Sequence, residues 1–346
     1  MKAAIVKEKN VMVLEDIPVP QINDDTMLIR VKACAICGSD LRIFRKGDSR
    51  AKYPVVIGHE IAGIIEKLGA NISNFKEGDK VCVAPGHGCG ECEMCKKGSP
   101  NVCLSPKPSI GYASSGGFAE YIVPPLNVVK LGFVNKIPDN LSFEEASMSE
   151  LLACCINAQE VANVSSGDTV VIIGAGPAGC IHVELAKARG VRKIILAQRS
   201  EARLKMARIF NPDVLINSQN ENIVEKVLEE TNGVGADVVI IACPSKEMQE
   251  ISLKIVKPKG RINLFGGLPH QDSKITVDAN IIHYKEIYLT GASSSLGRHN
   301  KEALELLSNG KINAKKFITY ILPLDDIVKG FDLVEKHETI KVVIKP

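Results

Sequence analysis

Thr169-Val170-Val171-Ile172-Ile173-Gly174-Ala175-Gly176-Pro177-Ala178-Gly179 decides the fold of this 346-residue chain. The first five residues are β-branched throughout, as a strand buried on both faces requires. The next six fit G-x-G-x-x-G, and an apolar helical run follows over 178–188. Between a strand and a helix, this motif has the context it needs. Gly174 permits the tight turn, Gly176 lets the backbone approach a pyrophosphate, and Gly179 lets helix and strand pack closely. Pro177 and Ala178 open the helix, whose free N–H groups favour an anion. The alternative is a glycine turn with a structural role only.

Working outward from this stretch, strand-like segments at 193–197, 214–216, 238–242, 261–265 and 287–290 alternate with helix-like ones at 201–210, 222–230 and 248–255. Six strands alternating with helices predict an α/β unit, a doubly wound parallel sheet of the Rossmann kind that binds a dinucleotide. The second strand of such a sheet usually ends in an Asp or Glu that holds the ribose hydroxyls. Here that place reads Ala197-Gln198-Arg199-Ser200. No carboxylate repels a 2′-phosphate there, and Arg199 and Arg203 offer guanidinium forks to one. NADP is therefore expected over NAD; the other reading leaves Arg199 in solvent and Gln198 on the ribose.

Before this region, short β-type segments such as 27–33 and 81–83 are broken by Gly, Pro and Asn, which predicts an irregular, mostly β domain. After about residue 292 come a helix near 301–308 and a last strand at 342–344, too little for a separate domain. The expected organisation is 1–150 with 292–346 as one domain and 151–291 as the dinucleotide-binding one.

Cys89-Gly90-Glu91-Cys92-Glu93-Met94-Cys95, with Cys103 seven residues on, lies in a lobe at about 86–104. Two-residue gaps let thiolates curl around one ion, and a fourth closes a tetrahedral shell: a structural zinc with no open position. Two disulfides are the alternative, but the spacing suits a metal better. Eleven cysteines, an odd number, and an N-terminus without the charged-apolar-small order of a signal peptide lead us to expect a reducing cytoplasm. The formal charge of +3 is dispersed and no apolar stretch reaches bilayer length, so neither nucleic acid nor membrane is an expected partner.

The same half of the chain carries a second set of ligand types. Cys37 stands in Cys37-Gly38-Ser39-Asp40, and His59 with Glu60 in Gly58-His59-Glu60. Thiolate, imidazole and carboxylate all bind zinc, and a catalytic zinc keeps a position for water or substrate. There it polarises a hydroxyl toward alkoxide, with Ser39 placed to carry the proton away. Taken singly, each residue has a plain structural role open to it.

Together they resemble a known family. Gly58-His59-Glu60 followed by Gly63 and Gly69 is similar to the zinc signature of medium-chain alcohol dehydrogenases. The Cys37 motif, the four-cysteine lobe, Gly116-Gly117-Phe118-Ala119-Glu120-Tyr121 and the glycine turn occur in that family's order. The resemblance implies a GroES-like catalytic domain interrupted by a Rossmann domain, zinc at both sites, a nicotinamide cofactor, a small alcohol or ketone substrate, and homodimers or homotetramers. Within the family the chain looks most like the sorbitol and polyol branch, where Glu-Pro-Leu stands in place of a third zinc ligand. Here that segment is Glu150-Leu151-Leu152, so the resemblance adds Glu150, exchanging with Glu60, to the catalytic zinc ligands. Several relatives carry a relay histidine near position 42; Arg42 cannot shuttle a proton, and its charge suits an anionic substrate group. Threonine and butanediol dehydrogenases of the same family are the alternative. From another class comes a non-catalytic, zinc-stabilised, dinucleotide-binding redox sensor.

Overall fold

Every residue of the strand Thr169–Ile173 is buried, and five further strands assemble around it. In the computed structural model, which describes residues 1–346 with the side chain of His270 excepted, it is flanked by Lys193–Gln198 and Ala236–Ile241. Val214–Asn217 lies outside the former; Val256–Leu264 and then Tyr288–Gly291 lie outside the latter. All neighbours are parallel, and in chain order the strands stand third, second, first, fourth, fifth, sixth. This is the doubly wound Rossmann order. Its core is aliphatic, with Val171, Ile195, Val239 and Ile262 all buried. The order reverses between Thr169–Ile173 and Ala236–Ile241, and the crevice past their carboxyl ends is where such sheets take a ligand.

One strand begins earlier than its sequence suggests. The strand expected at 261–265 runs from Val256 to Leu264. It crosses the Pro258–Gly260 segment by a register shift, from Ala236 opposite Val256 to Val238 opposite Arg261. A bulge absorbs what an uninterrupted ladder cannot.

The chain divides into two units, Cys154–Ser294 around this sheet and Met1–Ala153 with Ser295–Pro346. The second is mostly β. Its larger sheet runs Ile318–Pro323, Lys341–Lys345, Met27–Ala35, Glu60–Leu68, Lys80–Val83 and Val134–Lys136, with Tyr121–Ile122 also against Met27–Ala35. A smaller sheet pairs Lys2–Glu8 with Val11–Asp16 and Val55–Val56. Phe331 fills the core between Phe44 and Phe118, with ring centroids 5.3 and 5.9 Å away in edge-on geometry. The larger sheet matters most for the site. Val343 pairs with Ala35, and Ala35 with Glu60, so three adjacent strands bring their ends to one level. Among the described residues, no helix is long and apolar enough to cross a membrane.

Candidate metal centres and nucleotide site

Cys37 precedes the helix Gly38–Lys46, and its backbone N–H donates to Asp40 Oδ2 at 2.9 Å. The other oxygen, Asp40 Oδ1, accepts from the Gly58 N–H at 3.1 Å and lies 3.0 Å from His59 Nδ1. One fully buried carboxylate thus ties the Cys37 turn to the Gly58–Glu60 turn. The result is that ligand atoms of Cys37, His59 and Glu60 lie within 4.8 Å of one another.

Asp40 also selects the tautomer. A carboxylate facing Nδ1 keeps a proton there, so the neutral ring presents its lone pair at Nε2. Ser39 Oγ is 3.3 Å from that Nε2. Burial alone would lower the His59 pKa, but the Asp40 carboxylate and its hydrogen bond outweigh burial and hold it well above its ordinary value. A cation at Nε2 competes for the site with that proton.

Glu60 opens the strand Glu60–Leu68 and is fully buried. Its Oε1 accepts from Lys341 Nζ at 2.6 Å, while Oε2 is buried with no hydrogen-bond partner. An orphaned carboxylate oxygen beside a thiol and an imidazole suits a cation, since a buried anion without a partner is costly. Thiolate, imidazole and carboxylate together form a donor set fit for zinc. Glu150 lies in the first turn of the helix Ser149–Val161, 5% exposed. It is not one of the three clustered ligands, though its charge helps raise the Lys341 pKa. Arg42 pairs with Asp48 at 3.0 Å, and Asp48 also binds Arg50 at 2.8 Å.

Three residues at this site escaped the sequence reading: Asp40 as an orienting group, Lys341, and Tyr112. The Tyr112 ring lies 5.5 Å from the His59 ring, centroid to centroid, and the Arg50 guanidinium covers it at 4.3 Å. Tyr112 is 8% exposed, and burial raises its pKa. Only Asp40, within the quoted Cys37 motif, carried a local signal.

In the lobe, Sγ atoms of Cys89 and Cys95 are 3.9 Å apart and those of Cys92 and Cys103 are 3.7 Å apart. A tetrahedron with metal–sulfur bonds of about 2.3 Å has edges of about 3.8 Å. All eleven cysteines are free of disulfides. Backbone N–H groups of Cys89, Cys92 and Ser105 point at these sulfurs at 3.2–3.4 Å. Such donors favour thiolate, and the Cys92 thiol is held down to about 6, chiefly by backbone N–H groups of Cys95 and Leu104.

The glycine turn has the shape its sequence suggests. Gly174 has φ +108°, a conformation open to glycine, and a Cβ there would stand 3.0 Å from that of Cys243. At Gly179 a Cβ would lie 1.7 Å from the Gly174 carbonyl oxygen, so helix and turn touch. A Cβ on Gly176 would meet nothing within 4 Å: the N-cap of the helix Pro177–Ala188 faces open space. Gln198 ends its strand with Oε1 accepting from the Arg199 N–H at 2.7 Å. Arg199 is exposed. Arg203 is only 7% exposed, and burial lowers its pKa.

Comparison with known proteins agrees with this geometry. Residues 23–133 match the alcohol dehydrogenase GroES-like domain family, and residues 177–309 the zinc-binding dehydrogenase family. Sorbitol dehydrogenase of Bombyx mori is 33% identical, covering 99% of this chain and 97% of its own length. L-threonine 3-dehydrogenase of Bacillus velezensis is 32% identical, covering 99% and 98%. Among solved structures, a zinc-binding dehydrogenase from Sinorhizobium meliloti 1021 bound to NADP superposes with a TM-score of 0.91 at 26% identity, covering 100% of this chain and 99% of that one. The chain belongs to the zinc-binding alcohol dehydrogenase family, and it is a dehydrogenase with a nicotinamide cofactor.

Proposed function

We propose that this dehydrogenase oxidises a polyol or similar secondary alcohol, or reduces the corresponding ketose, with NADP preferred over NAD. Cys37, His59 and Glu60 or Glu150 would hold the catalytic zinc, and Cys89, Cys92, Cys95 and Cys103 the structural one. The observation that carries the reading is the convergence of Cys37, His59 and Glu60 ligand atoms within 4.8 Å, with Glu60 Oε2 unpartnered. Zinc held there would supply Lewis acidity toward a substrate hydroxyl. Asp40 fixes the His59 ring through Nδ1. Ser39 Oγ, adjacent to Nε2, takes up and passes on the hydroxyl proton. Glu150, buried in the same unit, serves as the alternate carboxylate in place of Glu60.

In this reading Met1–Ala153 with Ser295–Pro346 carries both metals, and Cys154–Ser294 carries the dinucleotide on Gly174, Gly176, Pro177, Ala178 and Gly179. An exposed Arg199 and the absence of a carboxylate at Gln198 support NADP. Arg199, exposed at the end of its strand, takes the 2′-phosphate. Homodimers or homotetramers fit an edge strand, Tyr288–Gly291, that exposes Tyr288 by 62% and Leu289 by 38%. Eleven cysteines outside any disulfide suit the cytoplasm.

The second reading is a threonine dehydrogenase, favoured by the full-length likeness to one. It needs a cation free for the amino-acid carboxylate, and Arg42 and Arg50 already share Asp48. The test is reduced-nicotinamide formation by zinc-replete protein over polyols, sugar-alcohol phosphates, threonine and simple alcohols, each with NAD and NADP. Polyol turnover with NADP is expected; turnover confined to threonine moves the chain to the second reading, and cofactor binding with no turnover of any substrate favours a redox sensor.

A further inference from the structure

A cavity of about 450 Å³ shares a wall, Tyr112, with the metal site. Arg50, Lys52, Lys7 and Glu15 also line it, over an apolar floor that includes Val56. Each wall has a local cause. Gly111 has φ +74°, and a Cβ there would stand 3.1 Å from that of His59, so the loop carrying Tyr112 lies directly on the Gly58–His59 turn. Arg50 is tied to Asp48 by its backbone N–H at 3.0 Å, by Nε at 2.9 Å and by Nη2 at 2.8 Å. Its guanidinium, 4.3 Å from the Tyr112 ring centroid, is oriented before any ligand arrives, with Nη1 outside the carboxylate pair. Asp48 also binds Arg42, so one carboxylate offsets only one of two guanidinium charges. Lys7 is offset by Glu15 at 2.8 Å. Lys52 is exposed and has no ion pair or hydrogen bond among the described residues. The surroundings of the cavity therefore keep two net positive charges.

We propose that this cavity takes the phosphate of a phosphorylated polyol, with Lys52 and Nη1 of Arg50 as its cations, while a hydroxyl of the same molecule reaches the metal site past Tyr112. The inference rests on the polyol reading and narrows its substrate class to sugar-alcohol phosphates. Charge selects phosphate over carboxylate. A phosphate monoester carries about −1.5 to −2 at pH 7, which two net positive charges match, whereas a carboxylate carries half as much. Its three oxygens can also bind an ammonium and a guanidinium edge at once. Reach selects the same class. The carboxylate of threonine stands one carbon from the hydroxyl carbon, too near to pass the Tyr112 ring, while a sugar alcohol places its phosphate several carbons away. The apolar floor around Val56 lowers the local dielectric, and the lining cations gain strength from it.

The test is calorimetric titration of inorganic phosphate into zinc-replete protein saturated with NADP, which keeps phosphate out of the nucleotide site. Wild type is expected to bind phosphate, more weakly as salt rises. Lys52→Met and Arg50→Met should each weaken binding about tenfold, the share of one charge-assisted contact. Lys52→Arg should bind as wild type does. Glu15→Gln, which removes the one carboxylate among the lining residues, should bind more tightly. In turnover, kcat/KM for sorbitol 6-phosphate should exceed that for sorbitol by about tenfold or more, carried by KM, and Lys52→Met should bring the ratio toward one. Phosphate should compete with sorbitol 6-phosphate; inhibition without competition would assign the cavity to a separate phosphorylated effector and overturn the substrate role. Wild-type phosphate affinity in both Lys52→Met and Arg50→Met overturns the proposal. Where Arg50→Met does not fold, Lys52→Met, a change at an exposed side chain, decides alone. Turnover of neither sorbitol nor its phosphate fails the polyol reading itself, a result separate from phosphate binding, which the titration still decides.

Discussion

Asp40 Oδ1 stands 3.0 Å from His59 Nδ1, with Asp40 fully buried and His59 4% exposed. The same carboxylate holds the backbone N–H groups of Cys37 and Gly58. A single side chain therefore sets both the position of the thiol and the tautomer of the imidazole.

Asp40→Asn keeps the volume but turns one acceptor into a donor that faces N–H groups. Outer-shell partners of this kind are worth about 10–100-fold in metal affinity, and a buried hydrogen bond lost costs about 1–3 kcal/mol. Chelator competition should show zinc affinity at the Cys37 site reduced within that range, with zinc in the four-cysteine lobe retained.

Gln198→Asp places a carboxylate where the ribose of a bound dinucleotide is expected. It should repel a 2′-phosphate and accept from a 2′-hydroxyl, shifting the NADP-to-NAD ratio of kcat/KM toward NAD by about tenfold or more, which corresponds to about 1.4 kcal/mol. An unchanged ratio would assign no selectivity to this position.

Cys92→Ser removes one of four thiols whose sulfurs lie within 4.8 Å of one another. Metal analysis should show loss of zinc from the lobe alone, and limited proteolysis should cut within residues 86–104, because a closed metal site contributes folding energy directly. Retention of full zinc content would contradict a four-thiolate site.

His182 gives a pH dependence in the other unit. It is fully buried with Nε2 unpartnered, and burial, with a smaller effect from Arg189, pushes its pKa down to about 3. The folded ring stays neutral while the unfolded one takes a proton below about pH 6.5. The unfolded state then binds more protons, so stability falls as pH drops from about 6.5 toward 3, by up to about 1.4 kcal/mol per pH unit. Denaturant unfolding of wild type and His182→Leu at pH 7 and pH 5.5 should show the difference between them changing in that sense.

Local features were legible in the sequence to the extent that their causes are local. The glycine turn lies in six consecutive residues flanked by a strand and a helix, and the four-cysteine lobe spans Cys89 to Cys103; both read directly. The doubly wound parallel sheet followed from alternation of strands and helices, although the strand expected from 261 starts at Val256 and passes Pro258 and Gly260 on a bulge. The metal-site residues were recognisable by type, since Cys37 and Gly58-His59-Glu60 sit in short motifs. What holds them in place was not. Lys341 lies 281 residues from Glu60, in a segment, Lys-Val-Val-Ile-Lys, that reads as a strand with solvated ends. Only the register of three paired strands brings it inside. Tyr112 likewise reaches His59 through tertiary packing that no spacing encodes.

Wild type and Cys37→Ala should be compared for zinc content, NADP binding and polyol turnover in the same preparations. Cys37→Ala is expected to keep lobe zinc and to bind NADP as wild type does, yet to lose the Cys37-site zinc and all measurable turnover. Turnover retained by Cys37→Ala would mean that Cys37 holds no catalytic metal.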